Sequence, residues 1–174
     1  TWTSSAGTFT YGTSTVGFAA SGTLTTPGAA DTEYIYNMTV NASVTVTLGA
    51  RTSLSNILTL NGTLTGAFTF QLFARNQANP LVLGGGSSIT GISGLIWGDS
   101  NTVGYNIPSG SYPDTTVRYV TGTLLGTTTI SQLVFNAGAI LNTGNNTLTV
   151  NGVLQLGAFD SAGSLNAGSS SVTV

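Results

Sequence analysis

Ile35-Tyr36-Asn37-Met38-Thr39-Val40-Asn41-Ala42-Ser43-Val44-Thr45-Val46-Thr47-Leu48-Gly49 is the stretch on which the fold turns. Val44, Val46 and Leu48 alternate with Thr45 and Thr47, the period of a strand with one dry face and one wet face. In the strand before it, Tyr34, Tyr36, Met38 and Val40 are expected on the dry side, with Asn37, Thr39 and Asn41 on the wet side. Leu58/Leu60, Leu148/Val150 and Phe68/Phe70/Leu72 show the same alternation. Threonine, valine and turn-forming Gly, Ser and Asn dominate the composition, while the helix-favouring Glu, Lys, Gln and Arg are scarce. The chain is therefore expected to be all-β.

The same stretch has a counterpart further on. Ile130-Ser131-Gln132-Leu133-Val134-Phe135-Asn136-Ala137-Gly138-Ala139-Ile140-Leu141-Asn142-Thr143-Gly144 lies over it, and after a spacer that is longer in the first copy the register resumes. Leu58-Thr59-Leu60-Asn61-Gly62-Thr63-Leu64 then answers Leu148-Thr149-Val150-Asn151-Gly152-Val153-Leu154. Phe9-Thr10-Tyr11 is a looser match to Val117-Arg118-Tyr119. This gives two related repeats, at 34–66 and 129–157, with an insert at 67–116, in a single domain spanning 1–174.

Asn61-Gly62 suits two folds. It is a strong hairpin signal, which would give an antiparallel β-sandwich or jelly roll completed by strand exchange. It also suits the corner of a parallel β-helix, where asparagines of successive coils can stack. Asn79 to Gly91 and Gly163 to Val174 read as further short strands with glycine corners, which a solenoid absorbs naturally. The expected fold is a β-solenoid, with the sandwich as the alternative.

Taken together, "YIYNMTV", "VTVTLG" and "LTLNGTLTG" within 34–66 and "LVFNAGAILNTGNNTLTVNGVLQLG" within 129–157 resemble the Thr/Asn/Gly-rich β-solenoid repeats of large bacterial secreted and cell-surface proteins. The resemblance implies an extracellular adhesin, surface-layer element or fibre, and departs from the usual pattern in the length of the insert.

Composition removes most chemistry. The chain has no His, Cys or Lys, and its charges are Arg51, Arg75, Arg118, Asp31, Glu33, Asp99, Asp114 and Asp160. A serine nucleophile has no base, and zinc, copper, haem and iron–sulfur ligand sets are missing. Asp99, or Asp31 with Glu33, offers oxygens to Ca²⁺, but the acids are too few and too dispersed for the usual six to eight ligands. A glycosidase acid pair such as Asp99 with Asp114 has nothing in the sequence to bring it together. We therefore expect no enzyme, no cofactor and no metal. A net charge of -2 with three scattered Arg gives no basic stripe for nucleic acid. The longest apolar runs are too short to cross a membrane as a helix. The first residues carry no signal-peptide pattern, as expected of a mature secreted chain.

The remaining candidates concern surfaces. Asn37, Asn41, Asn61 and Asn145 open N-x-S/T triplets and are glycosylation candidates, although so Asn-, Ser- and Thr-rich a composition generates as many by chance. Tyr11, Tyr34, Tyr36, Tyr105, Tyr112, Tyr119, Trp2 and Trp97 offer faces for sugars, and packing accounts for most of them. Among these, Tyr105, Tyr112 and Trp97 fall in the insert, where a surface role is more open.

Solenoid ends need covering, and no capping helix is visible at either end. Thr1 to Phe9 and Gly168 to Val174 read as strands ready to pair, with Trp2, Phe9, Val172 and Val174 as assembly residues. The expected function is an extracellular structural protein, a filament or surface-layer subunit polymerising head to tail with itself through β-strand pairing. The alternative is a stalk or binding module of a larger adhesin whose partner is a glycan.

Overall fold

The computed structural model describes every residue except 4–11, 30, 31, 33, 74–76, 99–103, 137 and 159–161. The described residues form strands and corners, with no helix. Strands follow one another in threes. The chain opens with β1 (Trp2–Thr3), β2 (Thr15–Phe18) and β3 (Gly22–Thr25), then β4 (Asn37–Val40), β5 (Thr45–Leu48) and β6 (Thr52–Leu54). Next come β7 (Leu58–Leu60), β8 (Thr63–Gly66) and β9 (Thr69–Leu72), then β10 (Leu81–Leu83), β11 (Ser88–Ile89) and β12 (Gly94–Trp97). They are followed by β13 (Tyr105–Ile107), β14 (Gly110–Tyr112) and β15 (Thr115–Arg118), and by β16 (Thr121–Leu124), β17 (Thr128–Ile130) and β18 (Leu133–Asn136). The last are β19 (Ile140–Asn142), β20 (Leu148–Val150), β21 (Leu154–Ala158), β22 (Ser164–Asn166) and β23 (Val172–Thr173).

Each strand pairs in parallel with the strand one coil away, giving a β-solenoid of about 7 turns. Sheet A is β1-β3-β5-β8-β11, sheet B is β2-β4-β7-β10, and sheet C is β6-β9-β12-β15-β18-β21. Sheets D (β13-β16-β19-β22) and E (β14-β17-β20-β23) complete the body. The chain visits B, A, C in the early coils and D, E, C in the later ones, so D takes over the side of B and E the side of A. Asn106 on β13 bridges the change: its amide donates to Ala78 O (2.6 Å) and its Nδ2 to Asn79 Oδ1 (2.9 Å).

The unit that repeats in space is the single coil. Its length is uneven, from 17 residues between the partners Tyr105 and Gly122 to 25 between Leu72 and Trp97. The segments aligned in the sequence fall on different sheets, with Met38 on β4 of B and Leu133 on β18 of C. The described residues within 67–116 continue the same stacking, from β9 to β15.

The interior is built from apolar columns. Leu54, Leu72, Trp97, Val117 and Phe135 follow one another up sheet C in register and are each fully buried. Val44, Val46, Leu48, Leu58, Leu60, Leu148 and Val150 point inward as their alternation requires. Two positions differ from expectation, both at corners. Ile35 rather than Tyr34 and Tyr36 is fully buried, because the chain bends at Tyr36 between the Ile35–Leu54 bridge and β4 and the parity shifts by one. Phe68 precedes β9 in a bend and is exposed, while Phe70 and Leu72 are buried.

Buried threonines make several of these corners. The hydroxyls of Thr52, Thr115 and Thr128, each at the start of its strand, donate to the carbonyls of Ala50, Pro113 and Gly126 two residues earlier. A local bond of this kind satisfies both the hydroxyl and the turning backbone, and Thr52 Oγ1 lies in addition 3.5 Å from Thr26 Oγ1 of the neighbouring coil. Asn61-Gly62 is likewise a corner and not a reversal. A Cβ on Gly62 would collide with the Val44 and Asn41 carbonyl oxygens of the coil below, so the close approach of successive corners requires glycine here.

Candidate functional site

Among the described residues no cluster of metal-ligating side chains organises a centre, and the features that set the described structure apart are its two ends and its outer faces. At the C-terminal end, β21, β22 and β23 are the last strands of C, D and E, and none has a further partner among the described residues. Their outer edges carry main-chain donors and acceptors spaced for another parallel strand. Leu154, Leu165 and Val172 are only partly buried against the core, Leu156 is 52% exposed and Val174 69% exposed. At the other end β1 and β2 are the outermost strands of A and B, with Trp2 and Val16 partly buried against the core.

Trp2 and Val172 therefore each lie on a terminal strand paired within its own chain along one edge, Trp2 with Leu24 and Val172 with Leu148. Val174 extends past β23. Phe9 lies outside the described residues, as do Tyr11, Asp31, Glu33 and Asp99.

The sequon asparagines occupy different environments. Asn37, half-buried on β4, accepts through Oδ1 from Asn56 Nδ2 (2.8 Å) and from the Ile57 amide (3.3 Å). Asn41 is exposed at the corner after β4. Asn61 is half-buried, with its Oδ1 set against Gly84 of the next coil. Asn145 is exposed, has φ +64° and accepts from Ser169 Oγ at 2.9 Å.

The three aromatic candidates of the insert are interior, whereas Phe68 is exposed. Trp97, Tyr105 and Tyr112 are all buried, with the Trp97 ring 6.3 Å from Tyr105 and 6.1 Å from Tyr112. The Tyr105 hydroxyl donates to Phe73 O, and that of Tyr112 to Pro108 O (2.7 Å). Burial raises the Tyr112 phenol far above its usual range. These rings fill the coils where A gives way to E, and they are no sugar platform. Tyr119 is exposed at a corner, 5.9 Å below the Arg118 guanidinium. Asp114 accepts from Gln132 Nε2 at 3.0 Å, on the outer side of sheet C.

Asparagine and hydroxyl ladders do run between coils. Asn166 donates to its register partner Asn142 (3.1 Å), and Thr63 Oγ1 and Ser88 Oγ, also register partners, lie 3.1 Å apart. Sequence reasoning did not assemble the outward threonines of A and E into one surface. Their signal was the recurring triplet, as in Thr45-Val46-Thr47, Thr63-Leu64-Thr65 and Thr147-Leu148-Thr149.

No protein-family model, curated protein or solved structure matches this chain significantly.

Proposed function

We propose that this chain is a non-catalytic structural rod of an extracellular or cell-surface setting, joining head to tail with copies of itself. The reading is carried by the open outer edges of β21, β22 and β23, together with the apolar side chains beside them. In the joint, β23 of one copy lies against β1 of the next and β22 against β2, because E continues the side of A and D that of B. All strands run the same way round the coil, so such a contact is parallel like every other pairing in the molecule. It brings unlike ends together, does not close on itself, and propagates as a filament. Main-chain bonding supplies the register, and burial of Leu156, Leu165, Val172 and Trp2 supplies the driving force. The near absence of charge supports the same reading, since little repulsion opposes self-association.

A copy lacking 168–174, and with it β23, tests this as a chain stopper. Mixed with the full chain, it is expected to shorten the polymers in proportion to its share. Unchanged polymer length would overturn the proposal.

A further inference from the structure

We propose that the outer face formed by sheets A and E is an ice-binding surface, a lattice of threonine and serine side chains that holds ordered water in register with a crystal face. This activity is separate from end-to-end assembly and needs only one folded copy.

The lattice follows from the pairing register. On sheet A, Thr45, Thr63 and Ser88 form one outward column, and Thr23, Thr47 and Thr65 a second beside it. Ser21 extends the first column, its Oγ accepting from the Thr45 amide at 2.9 Å. Thr90 extends the second, its amide bonded to Leu64 O at 3.0 Å. Sheet E carries the same pair. Ser111, Thr129, Thr149 and Thr173 are successive register partners, and main-chain bonds place Thr127, Thr147 and Ser171 in a parallel column. The residues between the columns, such as Val46, Leu64 and Leu148, are fully buried, which pins the hydroxyl-bearing positions outward.

The face is uniform where the others are mixed. Among the outward residues of B and D are Asn37, Val82, Asn106 and Ile140, and among those of C are Ile96, Arg118, Val134 and Asn136. No strand of A or E contains a charged residue, as is also true of B and D, so the distinction lies in the unmixed hydroxyl columns. Threonine also faces outward at Thr39 and Thr59 on B, Thr121 and Thr123 on D and Thr116 on C, as its strand preference requires, but only on A and E do whole columns consist of Thr and Ser, and that calls for a separate cause.

The chemistry of such an array selects its ligand. Each threonine offers a hydroxyl that anchors one water and a methyl that restrains its neighbours. Neighbouring coils stand about 4.8 Å apart and residues two apart on a strand about 6.6 Å apart. The spacing between coils lies close to the shorter oxygen repeat on a prism face of hexagonal ice. The continuous parallel ladders hold the array rigid, so little ordering remains to be done on contact. A charged group would instead draw water radially round itself. The same inventory argues against other occupants: protein interfaces are enriched in aromatic residues and Arg, and flat polysaccharide surfaces call for exposed rings, none of which points outward here.

Between β11 and β14 the ladder is interrupted by a cleft of about 370 Å³ lined by Leu83, Ser88, Ser109, Gly110 and Tyr112. The face is therefore two arrays on one side of the rod.

The test is nanolitre osmometry of the purified full chain, with microscopy of single ice crystals growing in its presence. The expected result is a gap between melting and freezing points and faceted crystals. Thr65→Lys on sheet A and Thr129→Lys on sheet E are each expected to shrink the gap strongly, and their double variant to abolish it, with an unchanged β circular-dichroism spectrum. Thr59→Lys, outward on sheet B, is expected to leave it intact. Round crystals and no gap for the folded wild-type chain would overturn the proposal, as would equal loss from Thr59→Lys. Retention of the gap in the folded double variant would do the same.

Discussion

The rings of Tyr112 and Trp97 meet edge to face, with centroids 6.1 Å apart and planes at 85°. With Tyr105 they form an aromatic knot supplied by β12, β13 and β14, at the level where A ends and E begins. No ladder bonds join β11 to β14, so this packing takes over the cohesion that main-chain pairing supplies elsewhere. Trp97→Ala should therefore cost about 3–5 kcal/mol, the range for emptying a large buried aromatic site. Urea denaturation followed by circular dichroism checks it, and a loss under about 1 kcal/mol would show that the knot does not hold these coils together.

Tyr112 also makes stability depend on alkaline pH. Its phenol is raised in the folded state, so the native chain keeps a proton that the unfolded chain releases near pH 10. The corresponding stability is complete below about pH 10 and is lost as pH rises beyond it. Tyr112→Phe should flatten this slope while costing about 1 kcal/mol at neutral pH for the lost bond to Pro108 O. Urea midpoints measured from pH 8 to pH 11 would reveal either behaviour.

Glycine corners should divide into two kinds. Gly62→Ala places a methyl against the Val44 and Asn41 carbonyls and is expected to destabilise by more than about 2 kcal/mol. Gly85 has open space where its Cβ would stand and no positive φ, so Gly85→Ala should be neutral or stabilising by about 0.4–1 kcal/mol. Thermal melts of the two single variants check the contrast, and equal effects would contradict the close stacking of corners at Gly62.

How far the sequence could be read depended on where the chain turns. Val44, Val46, Leu48, Leu58 and Leu60 were legible because period-two alternation survives along a straight strand. Tyr34 and Tyr36 were misplaced because a bend shifts parity, and no residue near Tyr36 announces that bend. For Trp97, Tyr105 and Tyr112 the sequence favours packing but leaves a surface role open because Gly, Ser and Pro surround them; those residues form corners of an ordinary coil, and all three rings are buried. The hydroxyl face stayed hidden for another reason. Its triplets are plain in the sequence, but coils of 17 to 25 residues give no fixed period, and only the register brings Thr45, Thr63 and Ser88 into one column.

Head-to-tail stacking makes a direct geometric demand. About 7 coils at about 4.8 Å each give a rise of about 34 Å per subunit along a filament. Electron cryomicroscopy of the purified full chain measures this repeat. The account predicts unbranched filaments with the strand spacing running unbroken along the axis and a subunit rise near that value. Monodisperse single rods at every concentration, or filaments whose strand spacing breaks between subunits, would contradict it.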